Sequence, residues 1–513
     1  MLGGVAAVTV LTACSGSAFP PGSAYASHVA TMQADQPTRP PLPVAVTRAP
    51  STADSVLTGT AAGPLTAGFA RTLFTAAPVV VVSGAVGPAL TAAEQAARAA
   101  HAPLLLASQG SPQAIATLAA SAKALRPVAV LTEGLPAAET KALAKRLPGV
   151  KMVSRSSALP ATRIPAPLSH VAVLVPAHPG KQGAPVAAVT ATAEAAGAAV
   201  IGVAGTDPRA DPAAVTTLAR LRPDAVVAVG AQFGSATRLA GRISVAETGR
   251  QLPGGGQVLF PGRRLVAMYG HPGTPGLGVL GQQDLAASIT RARHLAAEYR
   301  PLSHVPVVPA FEIIATVAEA SPGPDGSYSY QTPVSELLPW VRQATADGLY
   351  VVLDLQPGRA SLLSQAEHYQ SLLALPDVGL ALDAEWKLQP GQKPLQQIGH
   401  VGIGEVNGVV RWLAALTARD DLPQKLLVLH QFQLAMLSGE QGLDTSHDDL
   451  AIVVHMDGQG TPGVKQGTWS AVTEAAPPGV FFGWKNFLVK DHPMLTPSQT
   501  MTKAPAPVMI SYQ

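Results

Sequence analysis

The sequence predicts an α/β protein: two flavodoxin-like α/β units followed by a (β/α) barrel, with a distorted or seven-stranded barrel left open as a variant. Three observations carry this expectation. Short β-branched runs alternate with Ala-rich helical stretches over short connections, the mark of parallel strands joined by crossover helices. Beyond Arg264 the alternation continues at a longer spacing, as barrel units require. The chain has 513 residues, 47% of them hydrophobic, which is enough for several cores rather than one.

Residues 15–54 come before the fold. They are rich in Ser, Pro, Ala and Thr, with Pro37, Pro40, Pro41 and Pro43 clustered, and show neither helical nor strand period. Such a segment reads as a flexible linker. The first α/β unit, residues 55–165, then runs as strand Pro78–Ser83, helix Ala92–Ala100, strand Pro103–Ala107, helix Gln113–Leu125 and strand Pro127–Thr132. The second, residues 166–262, repeats the rhythm with His170–Val175, Val186–Ala196, Ala198–Ala204, Ala213–Leu221 and Pro223–Gly230. These strand runs are apolar throughout, as strands covered on both faces are.

Residues 263–513 carry seven strand candidates: Leu265–Tyr269, Pro306–Phe311, Leu349–Leu353, Val378–Leu382, Lys425–Leu429, Leu450–Val454 and Val480–Phe482. The eighth is unassigned. His400–Ile403 is a candidate, although Gly404 and Glu405 look more like the start of the helix that runs to Ala418. The stretch Phe481–Gln513 is too specifically patterned for a loose tail, and Asp491-His492-Pro493 reads as a turn after the last strand.

One cysteine, Cys14, excludes an internal disulfide. It closes the run Leu11-Thr12-Ala13-Cys14 after the apolar stretch Val5–Leu11, and this resembles the lipobox of bacterial lipoprotein signal peptides. The resemblance implies that residues 1–14 are a signal peptide and a lipidated cysteine. It places the protein on the extracytoplasmic face of the cell membrane, held there by its lipid. The apolar stretch is far short of the ~20 residues that span a bilayer as a helix. No Lys or Arg precedes it, which puts the expected true start upstream of Met1.

From Val79 to Gly134 the chain reads "VVVVSGAVGPALTAAEQAARAAHAPLLLAS…LRPVAVLTEG". Its order of strand, Gly-containing turn, small-residue helix, "aPLLL" strand and strand ending in Gly is similar to the type 2 cell-wall-binding repeat of Gram-positive surface proteins. That resemblance implies binding to a wall polymer. Nucleotide ligands are disfavoured, because neither unit has a phosphate loop with Lys or a Gly-x-Gly-x-x-Gly turn between strand and helix. Nucleic acid is excluded as a partner, since the net charge of +3 comes from 35 basic and 32 acidic residues with no basic run.

The barrel strands finish in polar residues. Alternate residues of a strand share a face, so Asp354 with Gln356, Asp383 with Glu385, and His455 with Asp457 form same-face pairs. Glu312, His430 and Lys485 end three more strands, and His271 follows the first. All would meet at the one rim where barrel enzymes carry their chemistry. Crowded acids separate in pKa, which acid–base chemistry needs. Trp386, Phe432 and Trp484 beside them would suit the apolar faces of sugars.

The expected catalytic set is therefore Asp383 and Glu385, with Glu312 or Asp354 opposing them, as in a glycoside-hydrolase-like barrel. His271, Gln356, Trp386, His430, His455, Asp457, Trp484 and Lys485 are expected to bind substrate. Taken singly, each pair also fits a strand end neutralised by Lys387, Arg359 or Lys485. His271, His430 and His455 with Asp457 offer zinc ligands, but their spacing is not diagnostic and no His-Glu-x-x-His run occurs. Neither a metal nor a cofactor is expected. The function this predicts is an envelope lipoprotein that binds, or binds and hydrolyses, a surface or wall glycan. The alternative is a noncatalytic wall-binding or scaffold lipoprotein with a degenerate barrel.

Overall fold

Four valines and a serine, Val79–Ser83, form the inner strand of the first sheet, buried on both faces as their composition requires. In this computed structural model, which describes residues 41–84, 87–108 and 111–513, the sheet runs Leu104–Leu106, Val79–Ser83, Ala129–Glu133, Lys151–Val153, all parallel. Cys14 and most of the expected linker lie outside the described residues. Among the described residues no helix is long and apolar enough to cross a membrane.

The second sheet is also parallel, in the order Asp54–Leu57, Ala225–Val229, Val171–Pro176, Ala199–Val203. Both are flavodoxin-like units with the strands and helices the sequence pattern predicts. One strand sits elsewhere than expected: Asp54–Leu57, at the end of the expected linker and the start of the first unit, pairs with Ala225–Val229 of the second sheet. Its four residues, Asp-Ser-Val-Leu, are too short and mixed for a pattern to choose its sheet. The two sheets are not separate bodies. Val80, Val82, Leu105 and Val130 of the first share one apolar cluster with Val171, Val173, Val189 and Val227 of the second.

The barrel is closed and has eight parallel strands: β1 (Arg264–Gly270), β2 (Val307–Ala318), β3 (Tyr350–Leu355), β4 (Val378–Asp383), β5 (Lys425–Gln431), β6 (Leu450–Met456), β7 (Phe481–Asn486) and β8 (Met509–Tyr512). Pairing of β8 with both β7 and β1, and of β1 with β2, completes the ring. The expected (β/α) barrel is thus present, with eight strands and not seven. The eighth strand comes from the patterned terminal stretch. Val401–Gly402 instead pairs with Leu437–Ser438 outside the barrel, and the helix Ile403–Arg419 follows at once. The Asp491-His492-Pro493 turn lies between β7 and β8, so it follows the seventh strand and not the last.

Parity along the strands separates inside from outside. Leu265, Ala267, Val308, Ala310, Val352, Ala381, Val428, Val453 and Met509 form one enclosed cluster, plugged at the amino-terminal end by Leu252, Leu259 and Phe260. Their neighbours Met268, Phe311, Val351, Leu353, Leu380, Leu427 and Leu429 face outward into the helix layer. One step further along the inward parity every strand presents a polar side chain: Tyr269, Glu312, Asp354, Asp383, His430, His455, Lys485 and Ser511. The barrel core is therefore apolar at its base and polar at its carboxyl end.

The second α/β unit is fastened to the barrel by a charge network. Arg242 donates to Asp448 at 2.7 Å and lies 3.2 Å from Asp207, while Arg209 donates to Asp207 at 2.9 Å and to the Asp448 carbonyl at 3.2 Å. Asp448 stands just before β6 and is one-third exposed, so solvent screens part of its attraction. Asp448→Ala is expected to cost about 1–2 kcal/mol. Denaturant unfolding would measure it, and a change within error would show that apolar packing alone joins the parts.

Candidate active site

The polar layer is organised around His430 on β5. Its Nε2 lies 2.9 Å from Glu312 Oε1 and its Nδ1 3.1 Å from Asp457 Oδ2, with all three groups buried. A ring nitrogen facing a carboxylate must donate, and here both do. Burial alone would lower the His430 pKa, but Glu312 and Asp457 outweigh it and hold it well above its ordinary value. In return, and against their own burial, Glu312 and Asp457 are held below the usual carboxylate range by His430. His455 stacks on His430 with centroids 5.3 Å apart, and its Nε2 lies 2.8 Å from the Ser511 hydroxyl. Burial and the neighbouring cations push its pKa down to about 3, so it is neutral. Gly483 makes room for that ring, since a Cβ there would stand 2.9 Å from His455 Nδ1.

On the opposite side the Tyr269 hydroxyl donates to Asp354 at 2.9 Å and accepts from Gln356 at 3.2 Å. Lys485 Nζ lies 3.6 Å from the centroid of the Tyr269 ring, a cation–π contact. Burial raises Asp354 to about 6, with Glu312 adding to the rise.

Asp383 ends β4, and the helical turn Ala384–Trp386 brings Glu385 back beside it. One oxygen each from Asp383, Glu385 and Asp457 lie within 4.8 Å of one another. Asp383 is 1% exposed, and its Oδ1, like Asp457 Oδ1, is buried with no hydrogen-bond partner. Burial first, and then Glu385 and Asp354, hold Asp383 well above the carboxylate range. Burial and Asp457 raise Glu385 to about 7. At neutral pH the trio therefore holds an ionised Asp457 and a Glu385 near its midpoint, with Asp383 pushed toward its protonated form. Glu385 is half-buried and also lines a surface cavity of about 280 Å³ with Trp386, Leu388, Leu395, Gln397 and Ile398. It alone of the three reaches from the buried cluster to that cavity wall.

No protein-family model, curated protein or solved structure matches the chain. What the site can do is read from its own geometry.

Of the residues singled out from sequence, Glu312, Asp354, Gln356, Asp383, Glu385, His430, His455, Asp457 and Lys485 do converge. Glu312 is not a strand end, because the apolar Ile313–Ala315 carries β2 on to Ala318, where it pairs with Ser329–Gln331. His271 stands apart, held by the hydroxyls of Thr274 and Thr332 at 3.0 and 3.1 Å. Trp484 points away from the inward parity. It is fully buried against Trp469, its N–H donates to Asn486, and it offers no face to a sugar. Of the expected neutralising partners, Lys387 pairs with Glu405 and Arg359 lies over Tyr328, whereas Lys485 stands in the layer and lowers the pKa of Glu312, Asp354 and Glu385.

An imidazole metal set does not assemble, since His271 is distant from the others in bonding and both His430 nitrogens face carboxylates. If a divalent ion were held, the all-oxygen trio Asp383, Glu385 and Asp457 would hold it, which suits magnesium, calcium or manganese. Tyr269 and Ser511 went unread as site residues. The parity Leu265, Ala267, Tyr269 could have revealed the first, whereas Ser511 was hidden with its unassigned strand.

Proposed function

We propose that the protein is an envelope lipoprotein whose barrel hydrolyses a glycosidic bond in a surface or wall glycan, with its α/β half associating with wall polymer. One observation carries the hydrolytic reading. Glu385, with a pKa near 7, stands on the wall of a cavity flanked by Trp386, backed by the ionised Asp457. A carboxyl that keeps its proton near neutrality is a competent general acid. Glu385 protonates the leaving oxygen, and the ionised Asp457 behind it helps to keep that proton on Glu385 up to about pH 7.

Glu385→Gln is expected to lower turnover of purified wall polysaccharide by about 10²–10⁴-fold, read as reducing ends released. In the unaltered protein turnover should fall as pH rises through about 7, where Glu385 loses its proton. Equal turnover in the two proteins would remove Glu385 from the chemistry. The depth of Asp383 favours a second reading, a barrel that binds glycan without cleaving it, and in that case binding persists with no reducing ends released.

Anchoring rests on the lipobox-like run ending in Cys14. Replacement of Cys14 by Ser is expected to move the protein from the membrane fraction to the soluble one on fractionation. Unchanged partitioning would remove the anchor.

A further inference from the structure

We infer that the second α/β unit carries its own carbohydrate-binding site, separate from the barrel, at the carboxyl edge of its sheet. The chain leaves Val171–Pro176 through the helix Gly183–Ala195 to the edge strand Ala199–Val203. It then crosses back through the helix Pro212–Leu221 to Ala225–Val229, on the other side of the strand it first left. The two helices cover opposite faces. Val186 and Val189 pack with Val171 and Val173, whereas Val215 and Leu218 pack with Ala172 and Leu174. Strand order therefore reverses between Val171–Pro176 and Ala225–Val229, and in open α/β sheets that reversal opens a crevice beyond the strand ends where ligands bind.

A cavity of about 350 Å³ lies there, within the size range of small-molecule sites. Residues following three different strands line it: Pro176, His178 and Gln182; Val203 and Thr206; and Gln232. Two features look built for it. The Thr206 carbonyl is held by Arg242 at 3.0 Å. Gly230, at φ +124°, lets the Gln232 carboxamide fold back over the strand end into the space a side chain would fill.

The lining selects the ligand. Two carboxamides, a hydroxyl and an imidazole can each donate and accept, as sugar hydroxyls require, and Pro176 and Val203 offer apolar surface to the ring carbons. Among the described residues the cavity wall contains no carboxylate and no guanidinium, so these provide neither a cation site nor the fork that grips a phosphate.

The test is titration calorimetry on the full-length protein with glucose, galactose, N-acetylglucosamine and their short oligomers, and with inorganic phosphate as the anionic probe. At least one neutral sugar should bind. Gln232→Ala, Thr206→Val and Gly230→Ala should each weaken that binding by about tenfold or more, while Arg411→Ala, exposed on a helix outside both sites, leaves it unchanged. Thermal melts of each variant separate loss of binding from loss of fold, and the exposed Gln232 and Thr206 tolerate replacement most easily. The inference is overturned by phosphate binding in place of every sugar, by sugar binding insensitive to these replacements, or by no binding across the panel. Because these replacements lie in the second unit and reducing-end release reads the barrel, failure here leaves the barrel reading untouched, and failure of the barrel leaves this site standing.

Discussion

Deleting Met509–Gln513 should open the barrel and abolish its cooperative unfolding. The deletion removes β8 and so leaves the facing edges of β1 and β7 unpaired. Met509, Ile510 and Tyr512 are buried, at ~1.5–3 kcal/mol for each such side chain. The Tyr512 hydroxyl, 2.6 Å from that of Tyr299, goes with them, as does Ser511 beneath His455. Adding the lost ladder bonds, the total reaches the ~5–15 kcal/mol of net stability that a typical domain has. The α/β half keeps both of its sheets and its own apolar cluster. Limited proteolysis should then digest the region beyond Arg264 while sparing the part before it. A truncated protein with unchanged melting would mean that seven strands can close the ring.

How much of this was legible in the sequence follows from the same strand. Seven barrel strands announced themselves because apolar runs such as Val378–Leu382 and Leu450–Val454 need no partner to be recognised. Met509–Tyr512 is four residues long, contains Ser and Tyr, and follows a Pro-rich connection, so nothing local marks it as buried. Only closure of the ring demands it. The site was readable in outline for a related reason: parity puts Asp354, Asp383, His430 and His455 on the inward face whatever the loops do. Parity does not say which acids touch which cations. The His430 bridge joins residues 118 and 27 positions apart, and such pairing emerges from barrel register alone. Trp484 misled because composition beside a rim says nothing of direction, whereas its even-numbered position on β7 faces out.

Replacing His430 by Ala should destabilise the protein by about 3–5 kcal/mol, because it strips the donor from two buried carboxylates at once. The loss depends on pH. In the intact protein Glu312 and Asp457 are depressed, so their contribution is present above the ordinary carboxylate pKa and is lost only as pH falls through their folded values. His430, raised, contributes below its unfolded pKa and loses that contribution as pH rises through its folded value. Without the imidazolium, both acids become raised groups whose stability disappears as pH rises. Urea unfolding near pH 5, where the intact imidazolium still contributes in full, should show this deficit. A variant as stable as the intact protein there would mean that the bridge contributes nothing.

The placement of Asp54–Leu57 has a mechanical consequence. Tension drawn through residues N-terminal to this strand, after the short Val46–Thr47 pairing with Phe74–Ala76, arrives at an edge strand lying parallel to Ala225–Val229. Pulling a strand along its own axis loads its hydrogen bonds together in shear instead of peeling them one after another. Once the Val46–Thr47 pairing gives way, a tug from that end would be taken up by the second sheet, the one bolted to the barrel through Arg242 and Asp448.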